Sequence, residues 1–238
     1  IILRKSKLIG FNGSLSLNSG FPERYGVSAN LNYRTKKLNF FNNIGYSTRT
    51  SEGSFINETE YYTDQAINNF LNENGIRDSE RNSNYLNTGL EYFISDKTSI
   101  VTSYVFRKSD GSTNNTNNVD QNFNGIIKVS ERIENETEKG DTNEFSINLT
   151  HQFNSKGHEI TMDYQKEKSL EYEDGLISNS QLKPLLTRYL SEKAATDEVQ
   201  KSELFKIDYV LPIKEDGQFE FGFRRSNQYQ DIDYLAEN

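Results

Sequence analysis

From Tyr25 to Arg34 apolar and polar residues alternate without exception. Tyr25, Val27, Ala29, Leu31 and Tyr33 occupy one set of positions, and Gly26, Ser28, Asn30, Asn32 and Arg34 the other. Successive side chains of a strand point to opposite faces, so this stretch predicts a strand with one apolar and one polar face. After a polar break at Thr35-Lys36 the alternation resumes, with Leu38, Phe40, Ile44 and Tyr46 opposite Asn39, Asn43, Gly45 and Ser47. The unit reads as an antiparallel hairpin with a short turn. Phe41 and Asn42 exchange the expected types, so the second strand is less regular than the first.

The unit recurs along the chain. Phe11, Leu15 and Leu17 mark a strand before the first hairpin, joined to it by a loop holding Gly20 and Pro22. Leu86 to Ile94 and Ile100 to Phe106 form a second pair around Ser95-Asp96-Lys97. Phe145 to Phe153 and Ile160 to Tyr164 form a third, and Phe205 to Leu211 with Phe219 to Phe223 a fourth. This predicts about nine strands, an odd number. Between the pairs lie polar segments without alternation, read as long loops at about 48–84, 107–142 and 166–202, with a polar end at 226–238. Within them, Thr63–Leu71 is compatible with a short amphipathic helix, 182–190 with a helical turn interrupted by Pro184, and Ile126–Ile133 with a hairpin extension.

Connections therefore alternate between a few residues, near 35, 96, 155 and 214, and much longer segments near 66, 125 and 184. Long loops are uncommon in compact soluble domains, whereas outer-membrane barrels combine short periplasmic turns with long extracellular loops. The strands approach the roughly 9 to 11 residues that cross hydrocarbon at a tilt. All three prolines, Pro22, Pro184 and Pro212, are expected in connections. Tyr33, Tyr46, Tyr92, Phe153, Tyr209 and Phe219 lie near strand ends, where interfacial girdles form. The predicted fold class is all-β: a partial antiparallel transmembrane β-barrel. Its lipid-facing set is Val27, Leu31, Phe40, Ile44, Leu90, Ile147, Leu149, Ile160, Ile207 and Phe221. The lumen-facing set is Asn30, Asn32, Arg34, Asn87, Glu91, Asn148, Asp163, Lys206, Asp208, Glu220 and Arg224. A membrane sheet leaves no edge in lipid, so an odd count predicts further strands in a larger protein.

Composition changes this picture little. Only 33% of the 238 residues are hydrophobic and the mean hydropathy is -0.82, values that invite a reading of disorder. An aromatic content of 12% argues against it, and a sheet with one wet face needs apolar residues at alternate positions only. A net charge of -8 and a pI near 5.0 disfavour nucleic acid as a partner. No run reaches the roughly 18 apolar residues of a membrane helix. The chain opens on Ile1-Ile2-Leu3 without Met or signal peptide, and reads as part of a longer precursor. It contains no cysteine, which removes disulfides and thiolate metal sites.

Candidate chemistry is sparse. His151 and His158 flank one short turn, with Glu159 the one obvious further donor. His151 falls on the apolar parity, which favours an interfacial ring over a metal ligand. No nucleophile elbow or comparable signature is present, so neither catalytic residues, a metal nor a cofactor is expected, and an enzyme is not predicted. The acidic run Glu131, Glu134, Glu136, Glu138 and Asp141 lacks calcium-loop spacing and reads as a solvated surface.

Four stretches carry a resemblance. IILRKSKLIGFNGSLSLNSG resembles the junction in TonB-dependent receptors where the plug ends in a strand of the INIILKK type and the first barrel strand begins with a GFxGS pattern. LNYRTKKLNFFNNIGYSTRT resembles the second and third barrel strands of the TonB-receptor-like outer-membrane β-barrel family of Bacteroidetes. FNSKGHEITMDYQ and FKIDYVLPIKEDGQFEFGFRRSNQYQDIDY are similar to later hairpins of that family. The resemblance spans nearly the whole chain outside the loops, and the order and spacing of the motifs carry it. It implies that residues 1–8 end a plug or form the plug–barrel junction and that 9–238 are barrel strands, of roughly twenty-two in the complete barrel. It further implies uptake of a solute such as a siderophore, glycan or peptide. The partners it implies are outer-membrane lipid, the TonB–ExbB–ExbD motor acting through a segment absent here, and a surface lipoprotein or other outer-membrane subunits. The plug, the TonB box and the last strands are missing from the sequence, so energy coupling rests on kinship. Two other readings remain: a non-transporting structural or docking barrel, and a soluble carbohydrate-binding β-sandwich. The sandwich requires Val27, Leu31, Phe40, Ile147 and Phe221 to lie in a closed core.

Overall fold

The computed structural model describes residues 9–62, 69–154, 157–213 and 217–237. Every strand belongs to one antiparallel sheet. Its strands are β1 (Gly10–Gly20), β2 (Arg24–Arg34), β3 (Leu38–Tyr61), β4 (Asn69–Ser95), β5 (Thr98–Phe123), β6 (Ile126–Gln152), β7 (Glu159–Lys183), β8 (Thr187–Arg188), β9 (Glu192–Ile213) and β10 (Gly217–Glu237). Each long strand pairs with its neighbours in sequence, and the two-residue β8 only flanks β7 at Ser180 and Gln181. The nine alternating segments are thus the nine long strands. β1 and β10 are the two edges, and the sheet does not close on itself.

Register, which alternation alone does not fix, aligns the apolar positions across the whole sheet. Leu15 pairs with Ala29, Ala29 with Ile44, Ile44 with Leu86 and Leu86 with Phe106. Further along, Ile100 pairs with Leu149, Leu149 with Met162, Met162 with Ile207 and Ile207 with Phe223. A slip of one residue anywhere would turn a strand's apolar set to the other face. The result is an apolar band five to nine residues tall along the long strands, approaching the roughly 9 to 11 residues of a membrane crossing.

The sheet is a single layer. Among the described residues only Gly75, Gly89, Val105, Thr113 and Ser169 are buried, and no side chain is completely enclosed. Val27, Leu31, Phe40, Ile147 and Phe221 are 36 to 61% exposed. A β-sandwich would need a second sheet over these residues, so that reading is excluded.

Most of the length expected to be loop is paired strand. β3 to β7 run 24 to 27 residues, roughly 80–90 Å at the strand rise. The stretches 48–61, 69–84, 107–123, 126–142 and 166–183 continue the ladder, as do 192–202 and 226–237. Their side chains are polar on both faces, so alternation is lost although the backbone stays extended and paired. The β5–β6 connection is only Asn124-Gly125, both at positive φ (53° and 81°), the conformation that an Asn-Gly hairpin turn requires. Asymmetry between the two ends of the sheet is therefore one of strand height rather than loop length. No helix occurs among the described residues. Asn69–Leu71 opens β4, and Thr187–Arg188 is strand. The rest of the expected first helix, 63–68, and the junction at 1–8 lie outside the described residues, as do parts of the turns near 155 and 214.

Candidate functional site: the polar face at band height

The register gathers six of the expected polar-face residues into one row. Arg34 stands opposite Asn39, Asn39 opposite Glu91, Glu91 opposite Val101 and Val101 opposite Asn148. Asn148 then faces Asp163, Asp163 faces Lys206 and Lys206 faces Arg224. Residues up to 190 positions apart in sequence thus share one level of the sheet. Asn32 lies one row higher and Asn30 with Asn87 two rows higher, on the side of the tall hairpins. Asp208 and Glu220 lie on the two rows below.

Hydrogen bonds join two pairs of the row. Asn39 donates its amide to Glu91 at 3.2 Å, and Asn148 donates to Asp163 at 2.6 Å. Thr150 donates its hydroxyl to Asn148 at 3.2 Å. Lys206 pairs with Asp208, and the Arg34 guanidinium lies 5.1 Å from the Phe93 ring centre. Arg34, Lys206 and Arg224 share this face with Glu91, Asp163 and Asp208, so both signs are interspersed. Such a surface suits water or another polar protein surface, and its charges would be costly against acyl chains.

Two further features lie on this face. Phe41, the residue of the wrong type, stands opposite Gly89 and covers it: a Cβ at Gly89 would lie 2.3 Å from the ring and 2.6 Å from the Thr102 carbonyl oxygen. Ser103 and Ser146 share a hydrogen bond of 2.7 Å. A Phe followed on the neighbouring strand by a Gly at matching depth is a signal, but it is readable only once register is known.

At the short-turn end, the histidines join aromatic residues. His151 Nδ1 lies 2.8 Å from Thr98 Oγ1, and its ring meets Phe153 edge-on at 4.6 Å. Phe153 stacks on His158 at 4.3 Å, and His158 Nε2 lies 2.7 Å from the Tyr209 hydroxyl. Glu159 instead accepts from Gln152 at 3.0 Å. The Lys97 ammonium donates to the Phe153 carbonyl at 3.0 Å.

Beyond the apolar band, Glu136 and Glu138 lie on one face of β6, and Glu138 stands opposite Glu173 of β7. Burial, followed by hydrogen bonds to Glu138 and Glu173 and by their charges, pushes the Glu136 carboxyl up to about 7 from its ordinary 4.5. An acid whose folded value is raised favours the fold most below the unfolded value, and that advantage is lost as pH rises towards the folded value. Protection of the outer β6–β7 hairpin against amide exchange, taken relative to the intrinsic rate at each pH, is therefore expected to fall between about pH 4.5 and pH 7. Glu136→Gln is expected to flatten that step. Equal exchange in both proteins across the window would contradict this.

Among solved structures, the chain is similar to the Pseudomonas putida toluene transporter TodX, with 10% identity over 96% of this chain and 77% of that one, at a TM-score of 0.20. It is also similar to Pseudomonas aeruginosa OccK3 (OpdO), with 5% identity over 95% and 93% of the two chains, at a TM-score of 0.18. No curated protein matches the chain. Residues 151–238, from the end of β6 through β10, match the model of the outer membrane protein beta-barrel family. The sheet, with its register-aligned apolar band, is thus the antiparallel strand wall of a bacterial outer-membrane β-barrel.

Proposed function

We propose that this wall belongs to a solute-uptake receptor of the TonB-dependent type. Its apolar face meets lipid, its polar face lines the lumen, and its tall hairpins stand on the cell exterior. The observation that carries this reading is the mixed-charge row from Arg34 to Arg224, set at the height of the apolar band on the opposite face. A lumen blocked by a folded plug needs such a surface, because hydrogen bonds and ion pairs can be exchanged there when the plug moves. The motor partner would be TonB–ExbB–ExbD, and a surface lipoprotein or other outer-membrane subunits would dock on the exterior hairpins.

The test is growth-linked uptake in strains lacking either the full reading frame or TonB, on ferric siderophores, glycans or peptides as sole limiting nutrient. Loss of growth on the same nutrient in both strains is the expected result. Unchanged growth of the reading-frame deletion on every nutrient would favour a non-transporting structural or docking barrel instead.

A further inference from the structure

β2 ends at Arg24, opposite Arg49, while β3 runs on to Tyr61. The last contact between them is the Thr50 amide donating to the Glu23 carbonyl at 2.7 Å. Beyond it, among the described residues, β3 pairs with β4 only. A step in the sheet thus leaves the outer edge of β3 open over Ser51–Tyr61, although β3 lies inside the strand order.

Register fixes which backbone groups point outward. The outward bonds of Thr50 and Leu38 towards β2 show that even-numbered residues present N–H and C=O to this edge. No bulge interrupts the β3–β4 ladder, so Glu52, Ser54, Ile56, Glu58 and Glu60 present theirs to the open side. Natural edges are guarded by charged side chains, proline or a bulge; from Ser51 to Tyr61 there is no lysine, proline or bulge, and the charges are Glu52, Glu58 and Glu60. The side chains of the same even-numbered residues share one face, so three carboxylates flank the open backbone groups, with Ile56 77% exposed among them. Two copies paired antiparallel about Ile56 would oppose Glu52 to Glu60, and like charges directly opposite destabilise a ladder. The edge is built against its own copy and in favour of a cationic strand.

We propose that the outer edge of β3, from Glu52 to Glu60, accepts an extended basic segment of a partner polypeptide as an added strand. Main-chain bonds supply affinity, and alternate side chains supply specificity. Lysine or arginine of the added strand faces Glu52, Glu58 and Glu60, and an aliphatic residue faces Ile56. Such strand addition is separate from solute uptake and holds whether or not the barrel transports.

The probe is a fluorescent peptide, Lys-Thr-Lys-Thr-Val-Val-Thr-Thr-Lys, titrated against the full-length protein in detergent micelles at about 0.15 M salt. Saturable binding is expected. Ile56→Pro removes an outward donor and leaves the β3–β4 ladder intact, because proline is tolerated where an edge N–H faces solvent. It is expected to weaken binding about tenfold or more, and Glu58→Lys is expected to weaken it as well. Two backbone-methylated peptides, one for each alternate set of nitrogens, settle the matter on the unaltered protein should Ile56→Pro not fold. Methylation of one set is expected to abolish binding and of the other to leave it unchanged. Absence of saturable binding, or binding unaffected by either methylated set, overturns the proposal; the latter would indicate charge attraction only.

Discussion

Arginine in place of Ile147 is expected to destabilise the membrane-inserted sheet by about 2–4 kcal/mol, the range for a cation on the lipid face near mid-depth. Ile147 sits between Thr102 of β5 and Tyr164 of β7, within the apolar band. Arginine in place of Gln165, next to Tyr164 on the opposite face, is expected to cost less than about 1 kcal/mol. Denaturant titration of the two variants in bilayers measures the difference. Equal costs would mean that the two faces see the same medium, which a barrel wall does not allow.

Leucine in place of Gly89 is expected to cost roughly 1–3 kcal/mol through overpacking. The obstruction has two parts of unequal give. The Phe41 ring, 2.3 Å from the added Cβ, can turn away, whereas the Thr102 carbonyl oxygen, at 2.6 Å, belongs to the paired backbone of β5. Gly89→Ala in a Phe41→Ala background should therefore recover only part of the loss from Gly89→Ala alone. Full recovery in the double variant would show that the ring alone excludes a side chain. Phe41→Ala alone should also be destabilising, because the ring covers an otherwise bare stretch of ladder.

The same pair shows what is legible in the sequence. Alternation from Tyr25 to Tyr46 reveals two strands, and Phe41 breaks the pattern because it answers to Gly89 on the next strand rather than to its own neighbours. Band-height strands are readable because one face has to be apolar there. Above the band both faces are polar, so alternation has no physical cause, and paired strand reads as loop. One local signal is available: Asn124-Gly125, the dipeptide suited to a two-residue hairpin turn, lies within the segment that reads as a long loop. Six residues of the charged row, among them Arg34, Glu91 and Asp163, are legible as polar-face residues from parity. Their common level is not, because register depends on how neighbouring strands align. The open edge of β3 is equally hidden, since it arises from the difference in height between β2 and β3.

In a barrel wall one face of each ribbon meets lipid and the other meets water. The chain has no cysteine of its own, so single cysteines from Glu144 to Gln152 of β6 can be scanned in liposomes with a membrane-impermeant thiol reagent and a lipid-soluble quencher. Reagent access at positions 144, 146, 148 and 150, with quenching at 145, 147, 149 and 151, is the predicted result. The opposite phase, or no period of two, would show that the two faces are not divided between lipid and water in this way.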